Sequence, residues 1–451
     1  MSPTIHRTFD SLHVPNYRRY FAGQVVSVSG NWIQNVAAMW LMVQLTGDGL
    51  AVGLTAALQF LPLMLFGVWG GLLADRVDKR RLLIGTQIGL MVPAIVLAAT
   101  TFTGTVTPLL IYAMVFLRGT AMAIDNPARQ ALPIELVGPE RVVNAVALNS
   151  VVIQASRIIG PGIAGLLIAV VGIGWCFVVD ALSFLAMIAA LLRLDPEEMG
   201  EAPRATRHKG AAREGVAYVR HAPHLWIPLA MMAVIGLLSF NFQIVLPLMA
   251  HDTWEGTATT FTLLTMTMAV GSVIGALVAG TRREITPRLL VGAATLFGTF
   301  QLLAAAAPIL PLQLLPLVLL GMASVTFSAG VNSTLQLGVD PAMRGRVMAL
   351  YSLVFLGSTP IGAPLVGWIA GWAGPRVGLA VGGVAALAAA AGAAWAFRRV
   401  AAGEDGDPAE PGAAGVVRPV AGAGPVAGAG PVAGAAPVAG AAPGSRVVTH
   451  G

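Results

Sequence analysis

The sequence predicts an all-α polytopic membrane protein of about twelve transmembrane helices, and three observations predict it. Of the 451 residues, 56% are hydrophobic and 11% are charged, whereas soluble domains carry about 25% charged residues. Apolar runs of the ~20 residues that a helix needs to cross a bilayer recur along the whole chain. Lys and Arg gather in alternate loops, the bias that keeps a short loop on the cytoplasmic side. The net charge of +6 follows this alternation. It forms no basic patch with interleaved aromatics, so no nucleic-acid partner is expected.

Residues 1–19 read as a cytoplasmic amino-terminal segment, and Arg7, Asp10, Arg18 and Arg19 leave it no apolar core for a cleavable leader. Apolar segments follow at 20–46, 51–74, 82–104, 107–125, 143–170, 172–193, 225–249, 258–281, 288–308, 311–332, 345–371 and 375–398. The loops near 47–50, 101–106, 171–174, 250–257 and 307–311 hold no Lys or Arg, while the intervening loops hold Lys79, Arg80, Arg81, Arg141, Arg193, Arg282, Arg283 and Arg344 among others. Both termini are therefore expected in the cytoplasm and the protein in the plasma membrane. The loop at 194–224 is a solvated linker that separates two six-helix halves, 20–193 and 225–399, and Gly210 to Arg220 suits a short amphipathic helix. Residues 400–451, rich in Ala, Gly, Pro and Val, are expected to be a disordered cytoplasmic tail. The lone Cys176 reads as a small buried hydrophobe.

The halves repeat one another. Asn126-Pro127-Ala128-Arg129-Gln130 at the end of the fourth segment returns as Asn332-Ser333-Thr334-Leu335-Gln336 at the end of the tenth. Beyond a short deletion, Pro139, Ala147, Leu148, Gly160 and Gly165 fall opposite Pro341, Ala349, Leu350, Gly362 and Gly367. Such duplication places a binding site between the halves near the bilayer midplane.

Between the second and third segments lies Gly70-Gly71-Leu72-Leu73-Ala74-Asp75-Arg76-Val77-Asp78-Lys79-Arg80-Arg81. Asp75 stands at the carboxyl end of a helix, where its charge opposes the dipole. That charge needs compensation, which Arg76 or the amino end of another helix docked alongside could supply. This stretch resembles the signature of the major facilitator superfamily, G-x-L-A-D-R-x-G-R-K, with Asp78 where the family has Gly. The resemblance implies a conformational latch carried by Gly71, Asp75, Arg76, Lys79 and Arg80. The matching stretch of the second half, Gly275 to Arg283, has Ala279 opposite Asp75.

Charges inside apolar segments are costly and mark function or pairing. Arg118 lies in the fourth segment, followed by Gly119, with Asp125 seven residues on along the same face; the resemblance implies proton coupling for Arg118, and a structural Arg is the alternative. Arg157 and Asp180 are expected to pair with each other, with a proton relay as the second reading. Gly160-Pro161-Gly162-Ile163-Ala164-Gly165 resembles the family's antiporter motif and is expected to pack tightly, with Gly271 and Gly275 of the eighth segment among its facing residues. Gln24, Asn31, Gln34 and Asn35 form a polar stripe on the first segment that faces either water or a partner helix. With Met114, Met122, Phe240, Asn241 and Gln243 they make a candidate substrate cavity suited to a bulky amphiphile, because flexible Met surfaces adapt to varied shapes.

Further residues resemble the siderophore-exporting and macrolide-efflux branch: Ala22-Gly23-Gln24 with Trp32, Asp125 to Gln130, Asn144 to Ser150, and Arg157-Ile158-Ile159-Gly160-Pro161. The expected function is a monomeric secondary transporter that exports a small hydrophobic or amphiphilic compound by alternating access in exchange for protons. A lipid or metabolite facilitator without coupling, and a membrane sensor without flux, are the alternatives. No G-x-x-x-x-G-K-[ST] phosphate loop, G-x-S-x-G elbow or H-x-x-x-H pair occurs, so ATP drive, hydrolytic chemistry, metals and cofactors are not expected.

Overall fold

A computed structural model describes residues 10–138, 140–200, 211–280 and 285–404. Six long helices form the first half: α1 (Pro15–Thr46), α2 (Gly49–Arg76), α3 (Lys79–Phe102), α4 (Pro108–Val137), α5 (Val142–Val170) and α6 (Gly174–Leu192). A short helix, α7 (Ala211–Arg220), leads into the second half, which holds α8 (Pro223–Leu238), α9 (Phe242–Leu248), α10 (Ala258–Gly280), α11 (Pro287–Ala306), α12 (Leu310–Leu337), α13 (Pro341–Ala373) and α14 (Pro375–Glu404). Expected features at Arg7, Pro139, Arg204, Arg207, Lys209, Gly210, Arg282 and Arg283, and the tail beyond residue 404, lie outside the described residues.

Local chemistry sets the helix ends. Asp48 accepts from the Leu50 and Ala51 amides, Thr107 from Leu110 and Thr286 from Leu289, each satisfying donors that a helix start leaves free. Pro108 and Pro287 follow two of these caps as first helical residues. Gly47 ends α1 at φ 58°, a left-handed conformation that suits Gly.

Among the described residues, eleven helices, counting α8 with α9 as one, are long and apolar enough to cross a membrane. The twelfth span is α1, whose 32 residues reach about 48 Å and whose polar stripe lowers its hydropathy. One boundary moves substantially. The fourth span was expected to end at 125, but α4 continues to Val137 through Pro127 and Pro133. Its polar residues find partners on neighbouring helices, so the helix goes on where composition alone suggests a stop.

Small residues display the duplication. Gly160 of α5 lies against Ser29 and Trp32 of α1, and Gly362 of α13 lies against Leu237 of α8. Gly165 of α5 meets Thr262 of α10, and Gly367 of α13 meets Gly49 of α2. Equivalent glycines thus touch equivalent helices, one within each half and one across the boundary. A Cβ on any of the four would come closer to its neighbour than van der Waals contact allows, the neighbour being backbone at Gly362 and Gly367 and side chain at Gly160 and Gly165. The crossing contacts gather at the end of the bundle away from the 75–81 loop. There Trp40 of α1 stacks on Phe261 of α10 with ring centroids 6.1 Å apart and meets the His251 ring at 6.2 Å.

The seventh span is broken between α8 and α9. Asn241 donates to the Leu237 carbonyl at 2.8 Å, Gln301 of α11 donates to the Ser239 carbonyl at 3.3 Å, and the Ser239 hydroxyl donates to Gly382 of α14 at 2.6 Å. Irregular backbone at membrane depth needs such buried partners. A π-helical turn, Met249–Thr253, ends the span.

Candidate functional site

At the 75–81 loop, α2 ends at Arg76 and α3 begins at Lys79. Asp78 caps α3 by accepting from the Arg81 amide at 2.8 Å. The residue that departs from the family signature therefore has a local structural task. Lys79 pairs with Glu135 near the end of α4. Arg80 donates to the Leu191 and Leu192 carbonyls at the end of α6, at 2.7 and 2.8 Å, where a cation also meets the negative end of the dipole. Gly71 is buried, whereas Asp75 and Arg76 are exposed and make no ion pair among the described residues. Among the described residues, Asp75 thus has no ion pair with Arg76 or any other residue.

Two buried polar clusters occupy the first half. In one, Asp125 accepts from Thr86, Gln87 and Arg129, each at 2.7 Å. Arg129 also donates to Gln24 at 2.5 Å, Gln24 donates to Asn149 at 3.2 Å, and the Tyr20 hydroxyl donates to the Arg129 carbonyl at 3.1 Å. Four helices, α1, α3, α4 and α5, meet here, and the Asp125 carboxylate is fully partnered. Such a network holds helices together, whereas breaking it would strand a buried charge.

The other cluster is incompletely satisfied. Arg118, 3% exposed, donates to the Asn31 side chain and lies 3.4 Å from the Asn31 carbonyl. Asp180 of α6 is fully buried and makes no ion pair among the described residues. The Ser183 hydroxyl donates to the Asp180 carbonyl at 2.7 Å and lies 3.5 Å from Oδ1, and Gly30 of α1 leaves room for both side chains. Asp180 Oδ2, Arg118 Nε and both polar atoms of Gln34 are buried without a hydrogen-bond partner, as is Asn35 Oδ1.

Several expected positions are corrected. Arg157 does not pair with Asp180; its guanidinium lies 5.4 Å from the centre of the Trp32 ring and 3.5 Å from Gln154. Asp125, at the expected end of the fourth span, is buried within α4, which runs on past it. Of the α1 stripe, expected to face either water or a helix, Gln24 meets Arg129 and Asn149 and Asn31 meets Arg118 within the same half, while the buried Gln34 has no hydrogen-bond partner among the described residues. Met122 packs with Leu90, Ala94, Ala181 and Phe184 between α3 and α6 rather than at the centre. Met114 packs against the large core that both halves share. Asn241 caps the broken span instead of facing an open cavity, and Gln243 is partly exposed. Gly271 and Gly275 meet Val318 and Met322 of α12, while the α10 residues that reach α5 are Thr262 and Met266. Gly271 lies five residues beyond Met266, about 140° around the helix, so one residue cannot serve both faces. Pro161 is buried beside Gly160.

The second half packs an aromatic cluster, with Phe297 and Tyr351 buried and Phe240 and Phe355 half-buried. Phe240 lies 5.1 Å from Phe297 and 5.6 Å from Phe355 between ring centroids, and Tyr351 stacks on Phe355 at 6.1 Å.

The family described as transmembrane secretion effector matches residues 7–414. The chain belongs to this family of the major facilitator superfamily. Among its relatives, macrolide efflux protein A of Streptococcus pyogenes is 25% identical over 353 residues, covering 76% of this chain and 86% of the relative. Enterobactin exporter EntS of Escherichia coli is 26% identical over 363 residues, covering 78% and 85%. Among solved structures, nucleoside transporter NupG superposes with a TM-score of 0.68 at 13% identity, over 84% of this chain and 99% of that one. As a facilitator-superfamily member, the chain is a multi-pass membrane transporter of small molecules and not an enzyme.

Arg129 and Trp32 are the functional candidates that the sequence leaves out of its site set. The spacing of Asp125 and Arg129, four apart on one helix, is the signal that finds the first.

Proposed function

We propose that this transporter exports a small hydrophobic or amphiphilic compound from the cytoplasm by alternating access, in exchange for protons. The observation that carries the coupling is Asp180: a fully buried carboxyl group with no ion pair and with one oxygen that no donor among the described residues reaches. Such an oxygen is available to a proton, whereas Asp125, with three donors, is committed to structure. A carboxyl group in this setting exchanges charge for neutrality as the bundle opens and closes, because an unpaired buried charge costs several kcal/mol, on the order of a conformational preference.

The conformation supports the direction of access. Contacts between the halves gather at the end away from the 75–81 loop, and Asp75 and Arg76 stand free at the other. With that loop on the cytoplasmic side, this is a carrier open to the cytoplasm with its latch undone. Closure of the cytoplasmic end gives Asp75 its partner, while the aromatic wall of the second half and the polar first half enclose the cargo as a monomer in the plasma membrane.

Efflux of a fluorescent amphiphile from cells expressing the wild type, Asp75→Asn or Arg118→Ala tests this, each with and without a protonophore. The expected result is wild-type efflux that the protonophore stops and that both variants lose. Efflux indifferent to the protonophore contradicts proton exchange.

A further inference from the structure

We infer that the transported compound is an aromatic amphiphile with an anionic head, and that Arg157 receives its charge. The inference rests on the export reading above and names the cargo of that site.

Three arginines lie in the interior of the first half, and two are met there by close acceptors. Arg129 is paired with Asp125 at 2.7 Å, and Arg118, without an ion pair among the described residues, donates to the Asn31 side chain. Arg157 has no ion pair among the described residues. A guanidinium has five N–H donors, and here the protein offers one acceptor, Gln154 at the limiting distance of 3.5 Å. The residue is half-buried rather than sealed away. Trp32 holds the group from one side, with the guanidinium carbon 5.4 Å from the ring centre. This contact leaves the donor edge free, the presentation that suits planar recognition of a carboxylate, sulfonate or phosphate.

Position strengthens the case. Arg157 lies about half-way along α5, two residues from Ile159 and so about 200° around the helix. Ile159, Ile163, Leu166 and Val170 form one exposed apolar stripe of that helix, at 50, 38, 65 and 71% exposure, while Val143 and Val146, nearer its start, are 82 and 51% exposed on the side of Arg157. Arg157 thus stands on the opposite side of α5 from the Ile159 stripe. An isolated cation at this depth is costly unless water or an anion meets it. In the other half, the half-buried Phe240 and Phe355 lie 5.6 Å apart between ring centroids, and the hydroxyl of Tyr351, which is buried against Phe355, has no hydrogen-bond partner among the described residues. No Asp, Glu, Lys or Arg is buried among the described residues of that half. One half thus offers a positive group and the other an aromatic wall.

The test is calorimetric titration of the purified full-length protein in micelles, blanked against empty micelles, with two probes of one aromatic skeleton. 1-Anilinonaphthalene-8-sulfonate carries the anion, and N-phenyl-1-naphthylamine is its neutral counterpart. Arg157→Gln is expected to weaken the sulfonate by about tenfold and leave the neutral probe within about twofold, while Arg157→Lys keeps most of the sulfonate affinity. Unchanged binding of the neutral probe also shows that the variant is folded. Equal weakening of both probes, unchanged sulfonate binding by Arg157→Gln, or no saturable sulfonate binding by the wild type would overturn the inference. Titration needs neither flux nor a proton gradient, so its failure is distinguishable from failure of the export reading.

Discussion

The two halves carry opposite chemistry on matching positions. With Asn126 to Gln130 set against Asn332 to Gln336, the Asp125–Arg129 pair of α4 falls opposite Val331 and Leu335 of α12, both fully buried. Likewise Arg157 falls opposite Thr359 when Gly160 is set against Gly362. The glycines that bring helices together persist in both halves, at the same contacts. Packing positions have thus stayed alike while charged positions have diverged. In our account the first half carries the proton and the charge of the cargo, and the second half supplies an apolar, aromatic counter-surface.

The most severe way to break this comparison is to remove one member of the buried pair. Asp125→Ala leaves Arg129 unpaired, at an expected cost of about 3–5 kcal/mol in stability. Writing the second half's chemistry into the first, as Asp125→Val with Arg129→Leu, should recover at least half of that loss, since a buried pair replaced by apolar residues is often neutral. Thermal unfolding of the purified protein measures both. A double variant as unstable as the single would show that the surrounding polar groups, Gln24, Thr86 and Gln87, require the charges.

The glycines sharpen the same comparison at a smaller scale. Gly160→Leu and Gly362→Leu should each lower stability by about 1–3 kcal/mol, because each overpacks a contact within one half. Gly165→Leu and Gly367→Leu should instead reduce transport more than stability, because they obstruct contacts between halves. Unfolding and efflux measured on all four separate these effects, and unequal members within a pair would argue against equivalent packing. The smallest expected effect is that of Asp78→Ala, about 1 kcal/mol from a lost helix cap, again read by thermal unfolding.

Fold and halves were legible because length, hydropathy and charge alternation act over whole segments. The glycine-rich run of α5 was legible too, although its partners were not: Gly271 and Gly275 sit on the wrong face of α10 to meet it. The polar residues of α1 were visible, yet a stripe cannot reveal whether water or another helix faces it. Gln24 is taken by Arg129, and Gln34 has no partner. Pairing across helices is likewise invisible at the sequence level, where Asp180 and Arg157 stand out as two lone charges. In the structure they separate: Asp180 makes no ion pair among the described residues, and Arg157 lies over Trp32.

The most direct test of the central claim uses proteoliposomes with an imposed pH gradient and compares wild type with Asp180→Asn. We expect the wild type to accumulate a fluorescent amphiphile against its gradient when protons flow the other way. Asp180→Asn should still equilibrate the compound downhill but lose the uphill, gradient-driven phase. Uphill accumulation that survives in Asp180→Asn would contradict a proton carried by the first half's incompletely paired cluster.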